Sequence, residues 1–140
     1  MLTAAGVGYV IKHHATFAAA EGGCQAEIGS ASSMAAGMIA AAHGAEPRVV
    51  ENAAESALEH HLGLTCDPVA GFVQVPCIER TAFGAVKAWT AYAIASNEIA
   101  NNPRVGFDEC VLALAETCKD MNSKYKETSE AGLALSVVLC

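Results

Sequence analysis

Positive charge is scarce in this chain: eight lysines and arginines face fifteen aspartates and glutamates, a formal charge of −7 over 140 residues. That balance argues against a polyanionic partner, so no nucleic acid and no membrane surface is expected, and the ligand should be small. No secretory leader is expected either. Met1-Leu-Thr-Ala-Ala-Gly has no basic n-region, and Lys12-His13-His14 interrupts the one apolar run that could serve as its core. Without a leader or a short, loop-rich chain, the six cysteines are not expected to form a disulfide framework, and a cytoplasmic chain with reduced thiols follows. No CxxC pair and no ferredoxin-type spacing occurs, so neither a zinc nor a ferredoxin signature is present. The longest charge-free run, residues 28–45, has the length of a membrane span but consists mainly of Ala, Gly, Ser and Met and contains His43. Such small residues point to close helix packing in a core. No repeat and no low-complexity linker divides the chain, which reads as a single domain, residues 1–140.

The chain reads as all-α, a compact bundle of about five helices with a cysteine-bearing loop and an inserted C-terminal tail. Residues 3–20 form an apolar helix loosened by Gly6 and Gly8, and Gly22-Gly23 stop it and allow close backbone approach at Cys24. A small-residue helix then runs to about His43, closed by Gly44. Pro47 after Glu46 opens a third, Arg48 to His61, whose apolar positions Val49, Val50, Ala53, Ala54, Ala57, Leu58 and Leu62 keep the helical period. The fourth spans Glu79 to Asn101, with Phe83, Val86, Trp89, Ala93 and Ile94 as its expected buried stripe, and ends at Asn101-Asn102-Pro103. Asp108 caps a fifth through about Tyr125, with Val111, Leu112, Leu114, Ala115 and Cys118 inward. The tail from Glu127 is irregular and unusually apolar; Leu133, Leu135, Val137, Val138 and Leu139 suggest insertion into the body of the protein.

Between the third and fourth helices lies the segment with most chemistry in it, Leu64 to Arg80. It holds Cys66 and Cys77, two prolines and Gly71, and neither lysine nor serine, a composition suited to folding around something. For each cysteine the plain reading is a buried structural thiol. Cys110 and Cys118, inside an ordinary helical pattern, fit it. Cys24, Cys66 and Cys77 fit it less well, because each sits where a helix has just ended or a Gly/Pro loop turns.

Four stretches resemble a known family: Ala20-Glu-Gly-Gly-Cys24-Gln-Ala-Glu-Ile-Gly-Ser-Ala-Ser-Ser-Met34, Glu55-Ser-Ala-Leu-Glu-His60-His-Leu-Gly-Leu-Thr-Cys66-Asp-Pro-Val-Ala-Gly71, Gln74-Val-Pro-Cys77-Ile-Glu-Arg80, and Lys119-Asp-Met-Asn-Ser-Lys-Tyr-Lys-Glu-Thr-Ser129-Glu-Ala-Gly-Leu-Ala134. In order and spacing they are similar to the C-terminal half of the alpha region of iron-sulfur L-serine dehydratases, over nearly the whole chain. The resemblance implies a [4Fe–4S] cluster and no pyridoxal phosphate, with metal ligands at Cys24, Cys66 and Cys77. It also implies a lyase (L-serine ammonia-lyase) that eliminates water from L-serine to give pyruvate and ammonia, an iron free of protein thiolate serving as Lewis acid for the leaving hydroxyl. Family members commonly carry a cysteine at or next to the C-terminus, so Cys140 is the expected occupant of that iron when substrate is absent.

The remaining site residues are less sharply marked. His60 and Lys124 are the catalytic candidates, and Lys124, Thr128 and Ser129 the candidates for binding the substrate carboxylate; a solvated helix end and a solvated positive patch are the plain alternatives. His61 could hydrogen-bond a ligand, and the catalytic base stays unassigned. The chain departs from the family in lacking the first half of the alpha region, the beta domain and the serine- and histidine-rich substrate motif. A fragment or one subunit is therefore expected, inactive by itself, partnered by the beta domain or beta subunit in a homo- or hetero-oligomer. An L-cysteine desulfidase-like cluster lyase and a non-catalytic iron-sulfur module are the alternatives.

Overall fold

The computed structural model describes residues 1–98 and 105–136, and within them the regular secondary structure is helical apart from one isolated bridge, Val69 with Phe72. The helices are α1 (Leu2–His14), α2 (Ala19–Gly22), α3 (Ser30–Ala42), α4 (Pro47–Glu59), α5 (Cys77–Asn97) and α6 (Phe107–Asp120). A π-helical turn, Gln25–Gly29, joins α2 to α3, and 3-10 turns form at Ser123–Tyr125 and Gly132–Leu135. The expected first helix is thus two. Ala15 leaves the helical region at φ −138°, and the Thr16 hydroxyl accepts from Ala18 N–H at 3.1 Å, a local bond that competes with helix continuation. Pro47 stands at the start of α4 as expected, whereas Gly106, not Asp108, is the N-cap of α6. Asp108 lies in the first turn, where it complements the dipole. The α6 helix also stops earlier than expected, at Asp120, where Met121 turns extended.

Small residues decide the packing. Helix α3 lies against α1, α4 and α5, and its buried face is Ser30, Ser32, Ser33, Ala36, Gly37 and Ala40. At such short separations hydroxyls reach neighbouring backbones: Ser33 donates to Ala54 O at 2.7 Å and Ser32 to Gly84 O at 2.8 Å. One core is built almost wholly of alanine, from Ala36, Ala40, Ala53, Ala57, Ala88, Ala91 and Ala95. A second gathers larger groups around Ile11, Leu58, Phe107, Val111 and Leu114, and a small third holds Ala19, Cys24, Ile28 and Cys66.

This packing reverses the expected orientation of α5. The helix buries Gly84, Ala88, Ala91 and Ala95, while Phe83, Val86, Trp89, Ala93 and Ile94 are exposed. A large side chain cannot enter a seam whose partner helices are an alanine diameter away, so the bulky stripe is turned outward. For the same reason of place rather than hydrophobicity, Leu112 is exposed on α6. Leu133 and Leu135 are exposed too, so neither inserts, and Val137, Val138 and Leu139 lie outside the described residues. No helix among the described residues is long and apolar enough to cross a membrane.

One buried acid stands in this core. Glu55 is 5% exposed, and its Oε1 has no hydrogen-bond partner among the described residues. Burial first, and the hydrogen bond and charge of Glu59 second, push its carboxyl up to about 7. Folding therefore favours the protonated form, and that contribution is lost as pH rises from the ordinary carboxylate range to about 7. Glu55→Gln should flatten this slope and add about 1–3 kcal/mol of stability at pH 8, measured by urea unfolding at several pH values. The α5 orientation has its own check by the same method: Ala88→Leu should cost about 1–3 kcal/mol, and Trp89→Gln should stay within about 0.5 kcal/mol.

Candidate metal centre

Three sulfurs meet at one end of the bundle. The Sγ atoms of Cys24, Cys66 and Cys77 all lie within 4.8 Å of one another, and all three residues are buried. They arrive from three directions. Cys24 follows the glycine pair that ends α2, Cys66 sits in the loop after α4, and Cys77 is the first residue of α5. Gly23 has φ +73°, and a Cβ there would stand 2.9 Å from Leu64 O, so glycine lets the two backbones touch. They do touch: Gln25 N–H donates to Leu64 O at 2.9 Å.

Gln25 then clasps this junction from inside. Fully buried, its Oε1 accepts from Gly63 N–H at 2.9 Å and from the Thr117 hydroxyl at 2.9 Å, joining the π turn, the cysteine loop and α6. The tail closes the other side. Cys66 N–H donates to Tyr125 O at 2.8 Å, the Ser129 hydroxyl donates to Pro68 O, and Gly71 N–H donates to the Ser129 hydroxyl at 3.3 Å. Ala70, Glu127 and Ser129, the non-glycine residues with positive φ among those described, all flank this contact. Backbone in that region costs on the order of 1–3 kcal/mol per residue and gathers where surrounding contacts impose it.

A polar group surrounds the sulfurs. Arg80, one turn into α5, donates to Cys24 Sγ at 3.7 Å, to Thr65 O at 2.6 Å and to Asp67 Oδ2 at 2.9 Å. Thr65 donates to the same Asp67 oxygen at 3.0 Å. Asp67 Oδ1 is buried without a partner among the described residues and lies against Gly132, where a Cβ would collide with it. The hydrogen bond from the Cys66 thiol lowers Cys24 to about 7, with the adjacent Arg80 acting the same way against burial. Its counterpart rises: Cys66 is pushed well up by donating that bond and by burial, and burial also raises Cys77. One thiolate is thus favoured and the other two sulfurs keep their protons until a cation replaces them.

The donor set suits a soft metal. All three ligating atoms are sulfur, and among the described residues no fourth cysteine, histidine or carboxylate joins them, one short of a closed structural zinc site. An iron–sulfur cluster with an open iron fits three buried thiols. Cys110 and Cys118 lie apart in the helical core, Cys110 pushed up to about 12 by burial, as structural thiols would be. Cys140 lies outside the described residues.

The other expected site residues are placed less tellingly. His60 is exposed and lines a cleft of about 250 Å³ with Glu59, Lys87 and Thr90, none of them a residue of the sulfur group. His61 is buried with Nδ1 2.6 Å from Ala57 O, and burial lowers its pKa, which favours the neutral ring. Lys124 is exposed with Nζ 5.0 Å from the Tyr125 ring centre. Thr128 donates to Lys124 O at 3.2 Å, and Ser129 is engaged with Pro68 as described, so both hydroxyls shape the tail. Gln25, Asp67 and Arg80 were missed by sequence reasoning although all three lie in the quoted motifs. Their proximity to a cysteine was the available signal.

Comparison with known proteins decides the family. The model of the serine dehydratase alpha chain family matches residues 1–134. This chain belongs to the serine dehydratase alpha chain family. An L-serine dehydratase of Helicobacter pylori is 54% identical over 134 residues, which is 96% of this chain and 29% of that protein. L-serine dehydratase 2 of Escherichia coli is 52% identical over 140 residues, and an L-serine dehydratase of Streptomyces coelicolor 49%, each across 100% of this chain and 30% of its own length. The chain therefore spans about three-tenths of the length of these relatives. The clasp itself is open to test: Gln25→Ala should cost about 1–3 kcal/mol in urea unfolding, because a fully buried side chain and its bonds to Gly63 N–H and the Thr117 hydroxyl are lost together.

Proposed function

We propose that this chain is the cluster-binding part of an L-serine dehydratase, with a [4Fe–4S] cluster held by Cys24, Cys66 and Cys77. The observation that carries the reading is the convergence of three buried sulfurs within 4.8 Å in a member of this family. When bound, such a cluster with one iron free of protein thiolate supplies a Lewis acid for the departing hydroxyl of serine. The reaction would yield pyruvate and ammonia, with no pyridoxal phosphate involved.

The chain's own residues supply the setting. The three cysteines bind, Gln25 holds two of their segments together, and the tail from Tyr125 to Gly132 closes over the loop through Ser129. Cys140 is proposed for the position that substrate takes, in substrate's absence. Lys124 is the proposed contact for the serine carboxylate, since it carries an exposed positive charge on the tail with no ion-pair partner among the described residues, and His60 is the weaker candidate for a catalytic role. Thr128 and Ser129 would reach substrate only by giving up their present bonds. Turnover, and the base that takes the Cα proton, would need the remainder of the enzyme, because the chain spans only 29–30% of its relatives. A beta domain or beta subunit is the proposed partner, in an oligomer working in the cytoplasm.

Anaerobically prepared protein should be brown, contain iron and sulfide in equal amounts, and change its visible spectrum on addition of L-serine. Cys66→Ser should abolish the colour. A colourless wild-type protein would refute the reading, and a spectral response to L-cysteine but not to L-serine would favour a desulfidase.

A further inference from the structure

We propose that Arg80 is a positioning residue for the cluster, spanning the three cysteine-bearing segments and setting how tightly the cluster is kept and at what potential it is reduced. The inference rests on the cluster reading above. Its basis is one side chain's reach. Arg80 shares α5 with Cys77, contacts the Cys24 sulfur at 3.7 Å, and holds both the residue before Cys66, through Thr65 O at 2.6 Å, and the residue after it, through Asp67 Oδ2 at 2.9 Å. No other cationic side chain among the described residues hydrogen-bonds a sulfur of this group.

The cost of this arrangement argues that it has a purpose. The Arg80 and Asp67 side chains are 16% and 3% exposed, and a pair taken that far out of water gains little net stability for the fold. Three thiolates, however, bring three negative charges into the same interior. A guanidinium at their edge offsets that charge, and its N–H bond to sulfur favours the form with one more electron. The fork geometry matters as well: Arg80 divides its acceptors between two nitrogens, Nη1 for the Thr65 carbonyl and the Cys24 sulfur and Nη2 for the Asp67 carboxylate, whereas a lysine presents all its donors from one.

The test uses the 140-residue chain loaded anaerobically with iron and sulfide, as wild type, Arg80→Ala and Arg80→Lys. Iron and sulfide content, the midpoint potential of the bound cluster and the rate of bleaching by an iron chelator are measured, with circular dichroism as the check on folding. Arg80→Ala should bleach roughly tenfold to a hundredfold faster and be reduced at a more negative potential. Arg80→Lys should bleach nearly as fast but keep a potential closer to wild type, because the charge is retained. An unchanged potential in Arg80→Ala, even with faster bleaching, would overturn the proposal and leave Arg80 a brace of the fold. If Arg80→Ala fails to fold, Arg80→Gln decides, and a wild-type potential there is likewise fatal. A wild-type chain that takes up no iron would instead bring down the cluster reading itself.

Discussion

Three thiols closed off from water cannot all carry charge, and the structure is arranged around that constraint. The Cys66 thiol donates a hydrogen bond to Cys24, whose pKa is lowered to about 7, while Cys66 and Cys77 are pushed up and keep their protons. A cation that takes the place of those protons relieves the frustration. The surroundings are prepared for it. Arg80 brings positive charge to the edge of the group, Asp67 fixes Arg80, and the tail lies over Asp67 at Gly132. Asp67 Oδ1 is buried without a hydrogen-bond partner among the described residues, and buried polar groups of that kind are expensive.

The rest of the bundle holds this cluster of groups steady by packing alanine, glycine and serine closely. Small residues allow α3, α4 and α5 to approach until serine hydroxyls bond across the gap, and this fixes the base of α5, where Cys77 and Arg80 stand. The consequence on the outer side is a row of large apolar groups, Phe83, Val86, Trp89 and Ile94, continuous in sequence with Phe72, Val73, Val75 and Ile78 on the cysteine loop. Fold stability and exposed hydrophobicity thus have one origin. The seam accepts only methyl-sized side chains, so the bulk goes outward.

Much of this was legible in the residues. Gly22-Gly23 before Cys24 announced a close backbone approach, Pro47 marked the start of α4, and the small-residue run announced tight helices. Each is a local steric rule that needs no knowledge of the rest of the chain. The α5 stripe failed for an equally physical reason. Periodicity says which residues share a face, but both faces of α5 are periodic, and hydrophobic size favoured the wrong one. The expected insertion of Leu133 and Leu135 failed similarly, since apolar character does not say whether a space exists to receive it.

By itself the sequence determined the helical class, the family, and which three cysteines stand at chain turns, since these depend on composition, local stereochemistry and motif order. Only the tertiary structure decided that the three sulfurs converge from positions 42 and 11 residues apart along the chain, and that Gln25, Asp67 and Arg80 attend them. Those facts follow from how closely the π turn after α2, α4 and α5 approach one another. That distance is a property of packed surfaces rather than of any single segment.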